Sequence, residues 1–388
     1  MLTEPLIHPD LRSLAAVQAE HEATLLGMPN VVGVGIGRKR TAGVDVGKPC
    51  LTVLVDMKLD KDLLARDEIV PTTVGSVATD VREVGVLQAG AGPAVAPPRP
   101  IEWQDGAAWQ RDLPMPEEPA VARRDQLAAL SALSRGIRGQ QVAPSAAGQP
   151  LAAARIRPAI GGISVGHYRG TAGTIGICCA DAASAEAGAP TAYYLLSNNH
   201  VLANCNDATT GDPILQPAPA DGGTPVTDTI ARLARFVPLK FDDGRDQPPV
   251  NYVDAAIAEG RFDQFDRRIQ WIGDVRATNA TPALDSRVQK SGRASYYTTG
   301  AVTVINATVD VSYPGGRFAR FARQIVCTGL STGGDSGALV VDYEQRAVGL
   351  LFAASPIVSV LNPVPLVEEL LGVRIAPRPL DASRPDRR

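Results

Sequence analysis

The sequence predicts a mainly β protein, with a small α+β module and a linker ahead of the main body. Three observations lead there. Short apolar runs recur with turn residues between them: VVGVGIG at 31–37, LTVLVDMK at 51–58, AYYLL at 192–196, VDAAIA at 253–258 and ALVV at 338–341. Of the 388 residues, 45% are hydrophobic and 20% charged, enough apolar material for real cores. A Pro-, Gly- and Ala-rich stretch at 91–118 interrupts the pattern and divides the chain.

In chain order, residues 10–27 (DLRSLAAVQAEHEATLLG) read as an amphipathic helix, capped by Asp10 and ended by Gly27. Strands at 31–37 and 51–58 follow, then a short helix at 60–66 and a strand near 77–85, completing a module over 1–90. Gly33, Gly35 and Gly37 alternate, yet Arg38 stands where a dinucleotide fingerprint needs glycine. Such glycines mark close backbone packing instead. Residues 91–154 form a linker carrying a helix at 123–136, residues 155–375 hold the main body, and 376–388 form a flexible tail. Within the main body, VPLVEELLGV after Pro363 reads as a closing helix.

The stretch CTGLSTGGDSGALVV, from Cys327 to Val341, carries the chemistry. A serine hydroxyl attacks at neutral pH only with a general base beside it and donors for the oxyanion it creates. Glycines around Ser336 let the backbone turn tightly and aim successive N–H groups at one point. The same GDSG could equally be an ordinary turn. The histidines are His8, His21, His167 and His200, and none follows Ser336. That excludes the Ser, Asp, His order of an α/β-hydrolase, whose G-x-S-x-G elbow also fails at Ala338. His200 sits at a strand end in LLSNNHVL, and Asp254 opens the small apolar strand VDAAIA. A buried carboxylate demands a partner, and His200 is the candidate. The plainer readings are a structural histidine and a strand-capping aspartate.

Together these residues resemble the trypsin-like (chymotrypsin-fold) serine endopeptidases. GDSG at 334–337 matches their serine box, SNNHV at 197–201 resembles the TNNHV box of high-temperature-requirement proteases, and VDAAIA is similar to their DIAV box. The order VVGVGIGRK, GTAGTIG, LSNNHVLAN, GDPILQP, VDAAIA, GDSGALVVD looks like a bacterial relative of the plant narrow-leaf trypsin-like proteases. The resemblance implies a double six-stranded antiparallel β-barrel and peptide-bond hydrolysis through His200, Asp254 and Ser336 by way of an acyl-enzyme. It implies an oxyanion hole at Gly334, Asp335 and Ser336, with the N–H groups of Gly334 and Ser336 as donors. It implies a substrate pocket floored by Leu330 and walled by Phe352, Ala353 and Ala354, favouring small or medium apolar side chains. It also implies homo-oligomers. A gated or catalytically silent binding module, or an esterase with the same triad, stays open as an alternative. Ile160-Gly161-Gly162 faintly resembles the N-terminus released when trypsin-like zymogens are cleaved, but Arg157-Pro158 is a poor cleavage site.

The net charge of −3 gives no basic excess for nucleic acid or an anionic membrane. No signal peptide or bilayer-spanning run is visible. The five cysteines are scattered, with no CxxC pair, so neither metal nor another cofactor is expected. Free thiols and a cytoplasmic location are the simplest reading. The expected partner is a protein or peptide substrate.

Overall fold

Two sets of six antiparallel strands each close on themselves in the computed structural model, which describes residues 6–41, 44–90, 151–187, 190–244 and 247–375. The predicted helix at 123–136, most of the linker and the tail lie outside the described residues.

In the first barrel, Ser164–His167 pairs with Pro213–Leu215, which pairs with Thr229–Phe236. Thr229–Phe236 pairs with Ala256–Gly260, and that strand with Tyr193–Ser197. One run of chain then closes the ring. Its first part, Gly173–Thr174, pairs back to Ser164–Val165, and its second, Ile177–Asp181, pairs with Tyr193–Leu196. Alternation along each strand decides which side chains fill the barrel. Cys178 joins Leu195, Ile214 and Leu233 in one core, while adjacent Cys179 packs with Tyr194 and Val364 in another.

The second barrel runs Arg287–Gly292, Tyr296–Tyr313, Arg317–Thr328, Val358–Pro363, Arg346–Ala354, Leu339–Asp342 and back to Arg287–Gly292. Between the barrels lies a shared apolar layer to which Ile177, Leu196 and Val253 contribute from one side and Leu339, Val341 and Leu350 from the other. The predicted closing helix, Val364–Leu371, buries Val364, Leu366, Val367 and Leu371. It then feeds Val373–Arg374 onto the edge of Ile177–Asp181.

The N-terminal segment is joined to the second barrel through a continuous sheet. Val31–Thr41 pairs with Val44–Val55 on one side and with Tyr296–Tyr313 on the other. Val77–Glu83 extends the same sheet, and the helix Arg12–Leu26 covers it. The alternating glycines permit this approach. A Cβ on Gly33 would stand 2.8 Å from the Thr308 carbonyl, and one on Gly35 would clash with Val304. Two local expectations differ. Asp10 does not cap the helix, whose first turn follows a 3-10 turn at Pro9–Leu11 and has no side-chain cap. The helix expected at 60–66 is a single turn, Lys61–Leu63, which buries no residue and so has no packing to lengthen it.

Candidate active site

Tyr193–Ser197 ends at the seam between the barrels, and the chain turns there into one helical turn, Asn199–Leu202. The Asn199 amide fixes that turn, donating to Asn206 Oδ1 and to the Val237 carbonyl at 2.8 and 2.7 Å. His200 rides on it, 7% exposed. Asp254 lies just ahead of Ala256–Gly260, the sheet neighbour of Tyr193–Ser197, so strand register brings the two together across 54 positions.

Asp254 is completely buried, and its carboxylate is paired. Oδ2 accepts from His200 Nδ1 at 2.6 Å and from the Tyr313 hydroxyl at 2.7 Å; Oδ1 accepts the His200 N–H at 3.2 Å. Burial, together with the nearby Asp254 charge, pushes the Tyr313 phenol well above its usual pKa, which keeps it a proton donor. Side chains of Asn198 and Asn362 hold the Asp254 carbonyl at 2.7 and 3.2 Å. Asn362 comes from the second barrel and also accepts the Asp254 N–H, so this pair ties the barrels together at the site. With Nδ1 committed to Asp254, the other ring nitrogen is the one left open. His200 Nε2 is buried and has no hydrogen-bond partner among the described residues.

Ser336 is half-buried, on a loop docked against the first barrel. The Thr174 N–H donates to the Ser336 carbonyl at 2.8 Å, and the Thr174 hydroxyl to the Gly334 carbonyl at 2.9 Å. Gly337, at φ +94°, has no space for a side chain: a Cβ would strike Ser197 Oγ and the Thr174 carbonyl. Ser197 lies three residues before His200, so the strand that delivers the imidazole touches the residue after Ser336.

The N–H groups of Gly334 and Ser336 donate to no acceptor among the described residues, while that of Asp335 donates to the Thr332 carbonyl at 3.1 Å. Asp335, expected at the oxyanion hole but not among its donors, therefore has no free N–H to give. Its side chain is instead a buried anchor for the loop. The carboxylate accepts the N–H groups of Thr332, Ala294 and Ser295 at 3.0, 2.9 and 3.0 Å, and the Ser295 hydroxyl. It also lies 3.0 Å from the fully buried Lys290 ammonium. Burial lowers the Lys290 pKa, against the pull of Asp335. This built-in ammonium answers the Asp335 charge, leaving no role for a new N-terminus. Ile160 lies inside Ala159–Gly161, which pairs with Phe265–Ile269.

A cleft of about 370 Å³ opens beside Ser336. Ala353 and Ala354 line it as predicted, with Ser331, Thr332, Gly333 and Pro356. Leu330 and Phe352 do not. Phe352 is buried against Phe321, ring centres 4.6 Å apart, because a bulge sets Leu351 opposite Leu361 and Ala353 opposite Val360. The extra residue, Phe352, faces the core. Leu330 packs with Cys327, Ala338 and Leu361, and borders an adjoining open groove that shares Ser331, Thr332 and Pro356 with the cleft but is not lined by Ser336. Sequence reasoning missed Tyr313, Asn362 and the cleft residues Val86, Gln88 and Gly90. Only Asn362, a polar residue among the apolar ones of VSVLNP, gave a signal.

Two closed antiparallel barrels, with the His200–Asp254 pair and the Ser336 loop both at their seam, define a trypsin-like, chymotrypsin-type fold. No family model matches the chain, and no curated protein matches it by sequence. Among solved structures it is similar to Thermobifida fusca protease A, at 15% identity over 56% of this chain and 98% of that one, TM-score 0.40. It is also similar to the chymotrypsin of Cellulomonas bogoriensis, at 16% identity over 56% and 98%, TM-score 0.37. Nocardiopsis protease matches at 16% over 55% and 97%, TM-score 0.36.

Proposed function

We propose that the protein is a serine endopeptidase. The observation that carries this reading is the His200–Asp254 pair with Nε2 left unpartnered at the seam that holds the Ser336 loop. In this mechanism Ser336 Oγ attacks the scissile carbonyl and His200 Nε2 takes its proton. Asp254 holds the imidazole in the required tautomer and stabilises the imidazolium, with Tyr313 fixing the carboxylate. The N–H groups of Gly334 and Ser336 receive the oxyanion, each such donor being worth about 3 kcal/mol of barrier. His200 then returns the proton to the leaving amine, and water repeats the sequence on the acyl-enzyme.

Among the described residues no charged side chain lines the cleft, which supports a preference for small or medium apolar residues before the cut. A buried unpaired cation there would be costly. All five cysteines are free and buried, which supports a reducing compartment.

Two measurements test the reading. Ser336→Ala and His200→Ala should each lower peptide hydrolysis by several orders of magnitude while leaving the fold intact; full activity in either variant contradicts it. Mass spectrometry of products from a denatured proteome should show Ala, Val or Leu before the cut. A dominant Arg or Lys would refute the pocket assignment.

A further inference from the structure

An extended peptide adds to a sheet edge through its backbone, so a site that accepts one needs an unpaired strand edge beside the nucleophile. Along Arg346–Ala354, one edge is taken by Val358–Pro363 throughout its last turn of pairing, including Ala353 and Ala354. The other edge is paired with Leu339–Val341 up to Leu350. At Leu351 it is held by the serine loop itself: the Gly337 N–H donates to the Leu351 carbonyl at 2.8 Å, and the Leu351 N–H to the Ala338 carbonyl at 3.0 Å. The next stretch of that edge is Ala353–Ala354, which lines the Ser336 cleft. It is the place for a peptide strand, and it is occupied from within: Gln88–Ala89 pairs antiparallel, with Ala89 opposite Ala353 and Gln88 opposite Ala354.

The occupant is anchored. Val84 and Gly85 N–H groups donate to the Val55 and Asp56 carbonyls at 2.8 and 3.0 Å, and the Ser355 hydroxyl donates to the Val84 carbonyl. The Ser312 N–H donates to the Leu87 carbonyl at 2.9 Å, and Leu87 is only 1% exposed. Val86, Gln88 and Gly90 face the same cleft as Ser336.

We propose that Val86–Gly90 is an internal occupant of the substrate strand's place, leaving Ser336 open to small acylating molecules and closed to extended peptides until the segment moves off. The proposal rests on the serine endopeptidase reading, since it takes Ser336 as the nucleophile beside that edge. It makes the resting protein gated by its own N-terminal segment.

The test compares two probes of Ser336 on the full chain: a small alkyl fluorophosphonate, and an Ala-Ala-Val-Leu peptidyl phosphonate that needs the strand edge. Leu87→Ala weakens the anchor and should raise the peptidyl probe's rate at least about tenfold, with the small probe within about twofold. Ala89→Cys with Ala353→Cys places thiols at directly opposed positions of the pair, where an oxidant can be used to tie the segment down. Oxidised, this variant should lose peptidyl labelling relative to the small probe measured in the same state, and regain it on reduction. An unchanged ratio of the two rates across wild type, Leu87→Ala and the oxidised pair overturns the proposal. Failure of the small probe on wild type is a different result: it removes the nucleophile assignment. Occupancy is then read from fluorescence anisotropy of a labelled Ala-Ala-Val-Leu amide, with the same expected order among the variants and the same overturning result.

Discussion

Tyr313 is the residue on which the orientation of Asp254 depends most directly, and nothing near it in sequence says so. It ends an 18-residue strand, 59 positions after the carboxylate it donates to. Tyr313→Phe removes one hydrogen bond to a buried charged group, worth about 1.5–3 kcal/mol. If that loss falls on the transition state, kcat drops about tenfold to a hundredfold, with KM for a small ester nearly unchanged. A KM effect alone would make Tyr313 a packing residue. His200, Asp254 and Ser336 were legible because each lies at the end of a short apolar run, where local pattern shows both strand and turn. Phe352 was misread because counting along a strand assumes unbroken alternation, and the bulge there breaks it; Leu330 was placed by its distance from Ser336 along the chain, which does not say where a loop side chain packs.

The end of Ser164–His167 and the turn before Pro213–Leu215 bring together a second histidine–aspartate pair with a different role. His167 Nε2 lies 3.1 Å from Asp212 Oδ2, while Nδ1 accepts the Arg169 N–H at 3.3 Å. The ring is fully buried, and protonating Nδ1 would break the second bond. Burial lowers the His167 pKa, against the pull of Asp212, with Arg169 adding to the lowering. The unfolded chain therefore takes up this proton first as pH falls. Stability is fully present above the ordinary imidazole value of about 6.5 and declines below it, until the lower folded-state pKa is passed. Melting temperature measured from pH 7.5 to 5 should fall below about 6.5, and His167→Gln should flatten that fall. An identical pH profile in the variant contradicts this account. Neither Ser164–His167 nor Pro213–Leu215 was singled out from the sequence as a strand, being too short to show a period, and their pairing depends on contacts far apart along the chain.

At the scale of the molecule, residues read as a separate N-terminal module extend the sheet of the second barrel. Val34, Ile36 and Val53 share one buried cluster with Val302, Ile305 and Leu361. A chain of 151–375 alone would expose part of that cluster. Each such side chain is worth about 1.5–3 kcal/mol, so losing several rivals the whole stability of a domain, about 5–15 kcal/mol. The truncated chain should aggregate or melt far below the intact one; cooperative unfolding at an unchanged temperature would contradict a shared core. Sequence pattern announced these strands but could not show which edge they join. The two barrels meet at one seam, where we propose that Ser336 is a nucleophile served by His200. Intact-protein mass spectrometry after treatment with a small fluorophosphonate tests it most directly. The predicted result is one adduct per chain, mapped to Ser336, absent in Ser336→Ala and slowed by orders of magnitude in His200→Ala. No adduct on the wild-type chain, or an adduct mapped elsewhere, would contradict it.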